Sequence, residues 1–98
     1  MDLKEFNKKT APTKKKFIKP AIVCNDGYSF SCQGSYFHYC KPKEDAEEYT
    51  KMELGGWDLE EIDRYDIGNV AAFVPIELIQ KMIDNHGGIN EERTFNRI

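Results

Sequence analysis

Residues 22–40, IVCNDGYSFSCQGSYFHYC, are the stretch that decides the fold. The tripeptide Asn25-Asp26-Gly27 separates two apolar runs, and these three residue types tolerate positive φ, so they predict a tight turn. In residues 28–32 apolar and small polar side chains alternate, which predicts a strand with one buried face. The first half of the stretch therefore predicts a half-buried antiparallel hairpin.

The second half of the stretch, residues 35–40, is richer in aromatic residues but has no decisive period. Gly34 interrupts the alternation before it. Pro42 follows soon after it and disfavours continuation of a strand, because proline has no N–H for the ladder. Residues 35–40 therefore fit either another strand or one helical turn capped by Ser35.

Two later segments predict further strands. Residues 49–54 alternate again, and residues 70–74 form a short apolar run that is typical of a buried strand. Together with residues 21–24 and 28–33, they predict a small sheet.

Two segments predict helices. Asp58 is a good N-cap residue, and Glu61 three positions later completes a capping box, so a short helix should follow. A longer helix is predicted over residues 76–86, where Gly87 and Gly88 provide a C-terminal stop. Its apolar side is formed by Ile76, Ile79, Met82 and Ile83.

The order of these elements indicates an α+β fold, with a small antiparallel or mixed sheet packed by a C-terminal amphipathic helix and one short helix. We expect the hydrophobic core to draw on every predicted strand and on the longer helix. Its predicted members are Ile22, Val23, Phe30, Leu54, Val70, Phe73, Val74, Ile79, Met82 and Ile83.

Charge divides the chain into two parts. Residues 1–43 carry nine lysines against three acidic side chains, a net +6, whereas residues 44–98 carry a net −9. Because 98 residues suit one domain, we expect a single globular unit over residues 18–89. Residues 1–17 are predicted to be a basic, flexible arm, in which Leu3 and Phe6, three residues apart, could alternatively form a short helical turn that docks; residues 90–98 are predicted to be a polar C-terminal tail.

The sequence predicts a cytoplasmic protein that does not contact a membrane. Its longest apolar run, residues 70–75, is far shorter than the roughly 20 residues that span a bilayer. The first nine residues lack the apolar centre of a signal peptide. Three cysteines cannot all pair within one chain, so we expect reduced thiols.

The sequence contains no complete metal-binding or catalytic motif. Cys24, Cys32, His38 and Cys40 have the atom types of a zinc site, but no two cysteines have the Cys-x-x-Cys spacing of structural zinc sites. No basic or helix-terminal context marks a cysteine as a nucleophile with His38 or His86 as its base. We therefore expect no metal, no cofactor and no catalytic residues, and hence a protein that is not an enzyme.

Four short motifs carry a resemblance to a group of proteins. They are VCNDGY at residues 23–28, FHYCKP at residues 37–42, VPIE at residues 74–77 and HGGI at residues 86–89. Over residues 20–89 the chain resembles small uncharacterised accessory proteins of bacteriophages and other mobile elements. These proteins have no assigned activity, so the resemblance implies a setting within a host cell rather than a chemistry.

The favoured hypothesis is a non-enzymatic phage-type accessory protein that binds a host protein, for example inhibiting a defence factor. Aromatic side chains at the centre of a surface with charges at its rim favour recognition of a partner. The predicted binding residues are Tyr36, Phe37, His38, Tyr39, Asp58, Glu60, Glu61 and Asp63.

Two alternatives stay open. A nucleic-acid-binding protein would neutralise phosphates with the lysines of the basic arm and with Lys19, which follows the arm, while aromatic side chains stack on bases. Those lysines are Lys8, Lys9, Lys14, Lys15, Lys16 and Lys19. An oligomer that sequesters a small nucleotide is the other alternative, and it would need a basic or aromatic pocket that the sequence does not reveal.

Overall fold

The turn predicted at Asn25-Asp26-Gly27 is present and connects the two strands of an antiparallel hairpin. In the computed structural model, which describes residues 1–58 and 60–96, strand β1 (Ile22–Val23) pairs with β2 (Ser29–Gln33). Gly27 has a φ of +95°, a conformation that glycine adopts without steric cost. The turn is closed by two short backbone hydrogen bonds, Cys24 N to Tyr28 O (2.8 Å) and Gly27 N to Cys24 O (2.9 Å).

The hairpin continues into a four-stranded antiparallel sheet. β2 pairs with β3 (Lys51–Gly55), and β3 pairs with β4 (Ala71–Pro75), so the strand order follows the chain. The register between β3 and β4 shifts between Met52 and Leu54, which marks an irregularity in the sheet. This sheet together with the helices confirms the α+β class.

Four helical segments accompany the sheet. They are α1 (Leu3–Lys9), a 3₁₀ helix (Glu60–Tyr65), α2 (Ile76–Asn85) and α3 (Glu91–Phe95). The side chains that α2 buries are Ile79, Met82 and Ile83. Among the described residues, no helix is long and apolar enough to cross a membrane.

The N-terminal segment contributes to the core, which differs from the arm predicted over residues 1–17. Leu3 and Phe6 lie three residues apart on α1, and both are buried. The Leu3 N–H donates to Gln80 Oε1 at 2.8 Å, and the Phe6 ring lies 5.9 Å from the Phe95 ring. The core therefore includes residues that the charge pattern had placed outside the domain, because two apolar side chains on one helical face outweigh the surrounding lysines.

The C-terminal segment, predicted to be a polar tail over residues 90–98, also packs on the domain as far as it is described. Thr94 on α3 is buried, and its Oγ1 accepts a hydrogen bond from Val23 N at 3.0 Å. Asn90 N donates to Val23 O at 2.8 Å. This segment thus satisfies polar backbone groups of the edge strand β1, which would otherwise be open to pairing with another chain.

Two members of the predicted core lie elsewhere. Ile22, Val23, Phe30, Leu54, Val74, Ile79, Met82 and Ile83 are buried as predicted, whereas Val70 is half-buried and Phe73 is exposed. Phe73 has a φ of +55° on the strand that pairs irregularly with β3. This local backbone geometry breaks the uniform burial that the apolar run of residues 70–74 predicts.

Candidate interaction surface

Four exposed aromatic side chains form what we call the aromatic surface. Tyr36, Phe37 and Tyr39 belong to the segment between β2 and β3, and Phe73 belongs to β4. Their exposed fractions are 62%, 61%, 45% and 40% respectively. Large apolar side chains that are exposed together are characteristic of recognition sites.

Ring contacts and a backbone hydrogen bond connect these residues. The Tyr36 and Phe37 rings meet edge to face with their centroids 5.3 Å apart. The Tyr39 and Phe73 rings meet at 6.0 Å, also edge to face. Phe73 N donates to Tyr39 O at 3.2 Å, which attaches the loop to β4. The aromatic surface therefore extends from the loop to the edge strand of the sheet.

Ser35, which is fully buried, stabilises the loop that carries the aromatic surface through hydrogen bonds. Ser35 Oγ lies 2.6 Å from His38 Nδ1 and accepts a hydrogen bond from Phe37 N at 3.0 Å. The Ser35 carbonyl accepts from His38 N and from Cys40 Sγ, both at 3.2 Å. This network replaces a strand ladder: the bond from His38 N to Ser35 O closes a single turn that the Ser35 side chain caps, as in the second of the two predicted alternatives, and no helix or strand forms over residues 35–40.

His38 differs from the other predicted binding residues in this loop because it is buried. Burial lowers the pKa of its imidazole, and the positive charges of Lys19 and Lys43 act in the same direction. A neutral ring bonded to Ser35 holds the loop in place and does not reach a partner. His38 is therefore not the contact residue that the sequence predicted, but a buried residue that stabilises the loop through its hydrogen bond to Ser35.

Polar groups also hold the outer side of the loop. Tyr36 N donates to Asp45 Oδ1 at 3.0 Å, and Tyr39 N donates to Glu53 Oε1 at 3.2 Å. The Lys43 ammonium lies 5.6 Å from the centre of the Tyr39 ring, within the range of a cation–π contact. These contacts place charges of both signs beside the aromatic rings, as expected for the rim of a binding surface.

The predicted acidic binding residues lie on a neighbouring part of the molecule. Glu60, Glu61 and Asp63 are exposed on the 3₁₀ helix, which packs against β4, and Asp58 is exposed before it. The Trp57 indole N–H donates to Asp63 Oδ1 at 3.3 Å. Strand β4 thus carries Phe73 and supports the acidic helix, although no hydrogen bond or ion pair joins the two groups in the described chain.

The six lysines of the nucleic-acid alternative do not share one environment. Lys19 is buried, and its ammonium donates to Thr10 O at 2.8 Å and to Thr10 Oγ1 at 2.9 Å. Burial lowers its pKa to about 8. It is therefore an internal group rather than a phosphate contact. The exposed lysines are Lys8, Lys9, Lys14, Lys15 and Lys16.

The basic segment is connected to the aromatic surface through Phe17. The Phe17 ring is half-buried and lies 4.8 Å from the Phe37 ring, so the exposed Lys16 is next in the chain to a residue that touches the surface. A cleft of about 540 Å³ also lies nearby and is lined in part by Lys9, Lys16 and Phe95. These basic and aromatic groups are of the kind that a nucleotide-sequestering site needs.

The three thiols are buried and free. Burial raises the pKa of Cys24 to about 11, that of Cys32 to about 12 and that of Cys40 as well. The thiolate form that attacks substrates or binds metals is therefore disfavoured at neutral pH. Within residues 1–58 and 60–96, no three histidine, cysteine or acidic side chains come together in a way that could hold a metal ion.

Comparisons with known proteins return no match: no family model fits the chain, and no curated protein or solved structure is significantly similar to it. The geometry of the molecule itself is therefore the basis for inferring its function.

Sequence reasoning missed two members of this site. The continuous apolar run around Phe73 predicts a buried side chain, and no residue in that run signals a positive φ. Phe17 ends the predicted basic arm, yet its ring packs against Phe37. A long-range contact of this kind leaves no periodic signal in the sequence.

Proposed function

We propose that this protein is a non-enzymatic interaction protein that binds another protein through the aromatic surface. The observation that carries the proposal is the set of four exposed aromatic rings held by a braced loop and an adjoining strand. Aromatic side chains provide large contact areas at a low entropic cost, and they dominate the energetics of many protein interfaces.

The backbone at Phe73 supports this proposal independently. A non-glycine residue at a φ of +55° costs roughly 1–2 kcal/mol, and such strain is concentrated at functional sites. The strained conformation accompanies an exposed aromatic ring rather than a buried one. A strained residue that adds little to the core is more readily understood if its ring serves recognition.

The partner that we propose is a host protein, in the accessory setting of bacteriophages or mobile elements, with inhibition of a defence factor as the outcome of binding. The acidic 3₁₀ helix beside β4 supports a partner with a basic groove. Negative charge at the rim would steer such a partner and compete with nucleic acid for the groove.

Nucleic-acid binding is the second candidate, and the Phe17–Phe37 contact favours it. Phe17 directly follows the exposed lysines Lys14, Lys15 and Lys16 in the chain, and its ring packs against that of Phe37. Stacking rings next to ammonium groups are the ingredients of single-strand binding. The net charge of −9 over residues 44–98 opposes this candidate because it repels a polyanion.

The test of protein binding is affinity capture from a host lysate with mass spectrometry, followed by measurement of binding to the purified partner. Phe37→Ser should abolish capture of the specific partner, because it removes a ring at the centre of the surface. Ile67→Ser is the matched control, since Ile67 is almost as exposed as Phe37 but lies beyond the 3₁₀ helix. Equal capture by wild type and Phe37→Ser would contradict the proposal.

The two candidates are separated by replacing Lys14, Lys15 and Lys16 with glutamine. Deleting the N-terminal segment would not separate them, because Leu3 and Phe6 belong to the core. A nucleic-acid binder should lose affinity for single-stranded DNA or RNA and much of its salt dependence. A binder of a host protein through the aromatic surface should keep its partner. Micromolar nucleic-acid binding that the triple variant abolishes would favour the second candidate.

A further inference from the structure

A cleft of about 860 Å³ lies between α1, residues 47–50 and α2, and the proposed function does not use it. Its volume is within the range of small-molecule sites, roughly 300–1,000 Å³. Apolar groups of Leu3, Tyr49 and Ile76 contribute to its lining. The hydrogen bond from Leu3 N to Gln80 Oε1 joins α1 to α2, so the two walls are fixed relative to each other.

The lining is acidic. Its five carboxylates are Asp2, Glu47, Glu48, Glu77 and Asp84, which outnumber its two ammonium groups, Lys4 and Lys81.

Partners within the molecule occupy three of these carboxylates. Asp2 accepts from Glu5 N at 2.8 Å, and Asp84 accepts from Gln80 Nε2 at 2.9 Å. Glu48 lies 3.7 Å from the Lys4 ammonium. Glu47 and Glu77 have no hydrogen bond or ion pair with any side chain in the described part of the molecule, and they give the cleft its available negative charge.

Asn7 provides a second, independent observation. It lines the cleft and is buried, and its Nδ2 lies 3.2 Å from Met52 Sδ. A thioether sulfur can only accept a hydrogen bond, so the amide nitrogen must face it. The amide oxygen Oδ1 is buried without a partner among the described residues. Leaving a buried acceptor unpaired destabilises the folded protein, and a ligand N–H that reached it would remove that cost.

We infer that this cleft binds a small linear organic cation that carries at least two ammonium groups, such as an aliphatic diamine or polyamine. The methylene chain packs on Leu3, Tyr49 and Ile76. The ammonium groups pair with Glu47 and Glu77, and one N–H donates to Asn7 Oδ1. This inference does not depend on the aromatic surface, which the cation does not contact.

The experiment is calorimetric titration of the full chain with 1,6-diaminohexane and with spermidine at low salt. We expect saturable binding with a stoichiometry of one. Glu77→Gln and Glu47→Gln should each weaken it by roughly fivefold or more, because each removes a charge-assisted hydrogen bond. Glu92→Gln, which removes an equally exposed carboxylate on α3, is the control and should change affinity less than twofold.

A matched ligand tests the role of Asn7 without a variant that could fail to fold. The bis-trimethylammonium derivative of 1,6-diaminohexane keeps both charges but has no N–H donor. It should bind more than fivefold more weakly, because it can donate a hydrogen bond neither to Asn7 Oδ1 nor to the carboxylates of Glu47 and Glu77. Equal affinity of the two ligands would overturn the assigned role of Asn7.

Two results would overturn the inference as a whole. One is the absence of saturable binding, or equal weakening by Glu92→Gln, which would indicate general attraction to an acidic protein. The other is self-association in light scattering that both Glu77→Gln and the glutamine substitutions of Lys14, Lys15 and Lys16 abolish, which would assign the cleft to the basic segment of a second copy. Neither result bears on capture of a partner by the aromatic surface.

Discussion

The two halves of residues 22–40 both contain aromatic side chains, yet they bury their rings differently. Phe30 in the hairpin is buried, whereas Tyr36, Phe37 and Tyr39 in the following loop are exposed. The hairpin strand alternates and pairs with neighbours on both sides, so one set of side chains must face the core. The loop has no ladder and depends on the buried Ser35. Strand pairing, rather than aromatic content, decides which half supplies the core.

The largest expected effect separates the two halves directly. Phe30→Ala should lower the free energy of unfolding by about 3–5 kcal/mol, because it leaves a cavity under the sheet. Phe37→Ala should lower it by less than about 1 kcal/mol, because the ring is mostly in solvent. Urea unfolding followed by circular dichroism measures both. Comparable losses in the two variants would mean that the loop is part of the core after all.

The hairpin, the later strands and the longer helix could be predicted because their signals are local. A turn tripeptide, period-two alternation and an apolar helix face each come from residues close in sequence. The spacing of Leu3 and Phe6 allowed a docking helical turn, but the packing partners of α1 and α3 could not be predicted, because Gln80 and Val23 are distant in the chain. Lysine-rich and polar flanking residues hid the few buried side chains of these short helices.

The second prediction concerns the buried thiol of the hairpin. Burial raises the pKa of Cys32 from 9.0 to about 12, so the folded protein keeps this proton where the unfolded chain loses it. The stabilisation is complete below pH 9 and is lost as pH rises towards 12. Between pH 9 and 10.5, Cys32→Ala should lose less stability than the wild type, by about 1.4 kcal/mol per pH unit. Chemical denaturation under reducing conditions at several pH values measures this.

Lys19 changes the pH dependence of stability with the opposite sign over an overlapping pH range. Its pKa falls from 10.5 to about 8 on folding, so the cost of burying its charge is present below pH 8 and is relieved as pH rises towards 10.5. Lys19 is retained in both proteins, so the difference between wild type and Cys32→Ala reports the ionisation of the thiol together with its electrostatic interaction with Lys19. Parallel pH profiles for the two proteins would mean that Cys32 ionises as readily in the folded state as in the unfolded chain.

The candidate site was predictable only in part, for a physical reason. Tyr36, Phe37 and Tyr39 could be proposed because an aromatic cluster without a period is compatible with exposure. His38 could not be distinguished from them, because its burial results from a hydrogen bond to Ser35 within an irregular loop. Phe73 was assigned to the core for the opposite reason, since an apolar run predicts burial and contains no trace of the local backbone conformation.

The smallest expected effect concerns Phe73, where the loop contacts the sheet. The sign of the difference in unfolding free energy between its glycine and alanine variants tests whether the backbone is strained there. In an ordinary strand, glycine is about 0.5–1 kcal/mol less stable than alanine. At a φ of +55° the order should reverse, because alanine keeps the steric cost of the left-handed region and glycine does not. Phe73→Gly should therefore be about 1 kcal/mol more stable than Phe73→Ala in chemical denaturation. Both substitutions remove the same ring, so the loss of its contact with Tyr39 cancels in the comparison.

An alanine variant that is the more stable of the two would contradict a strained backbone at Phe73 and remove that support for a recognition role. A glycine variant that is the more stable would show that the folded protein is strained at this position. Loss of partner binding in both variants would show that the exposed Phe73 ring, which the strained backbone carries, takes part in binding.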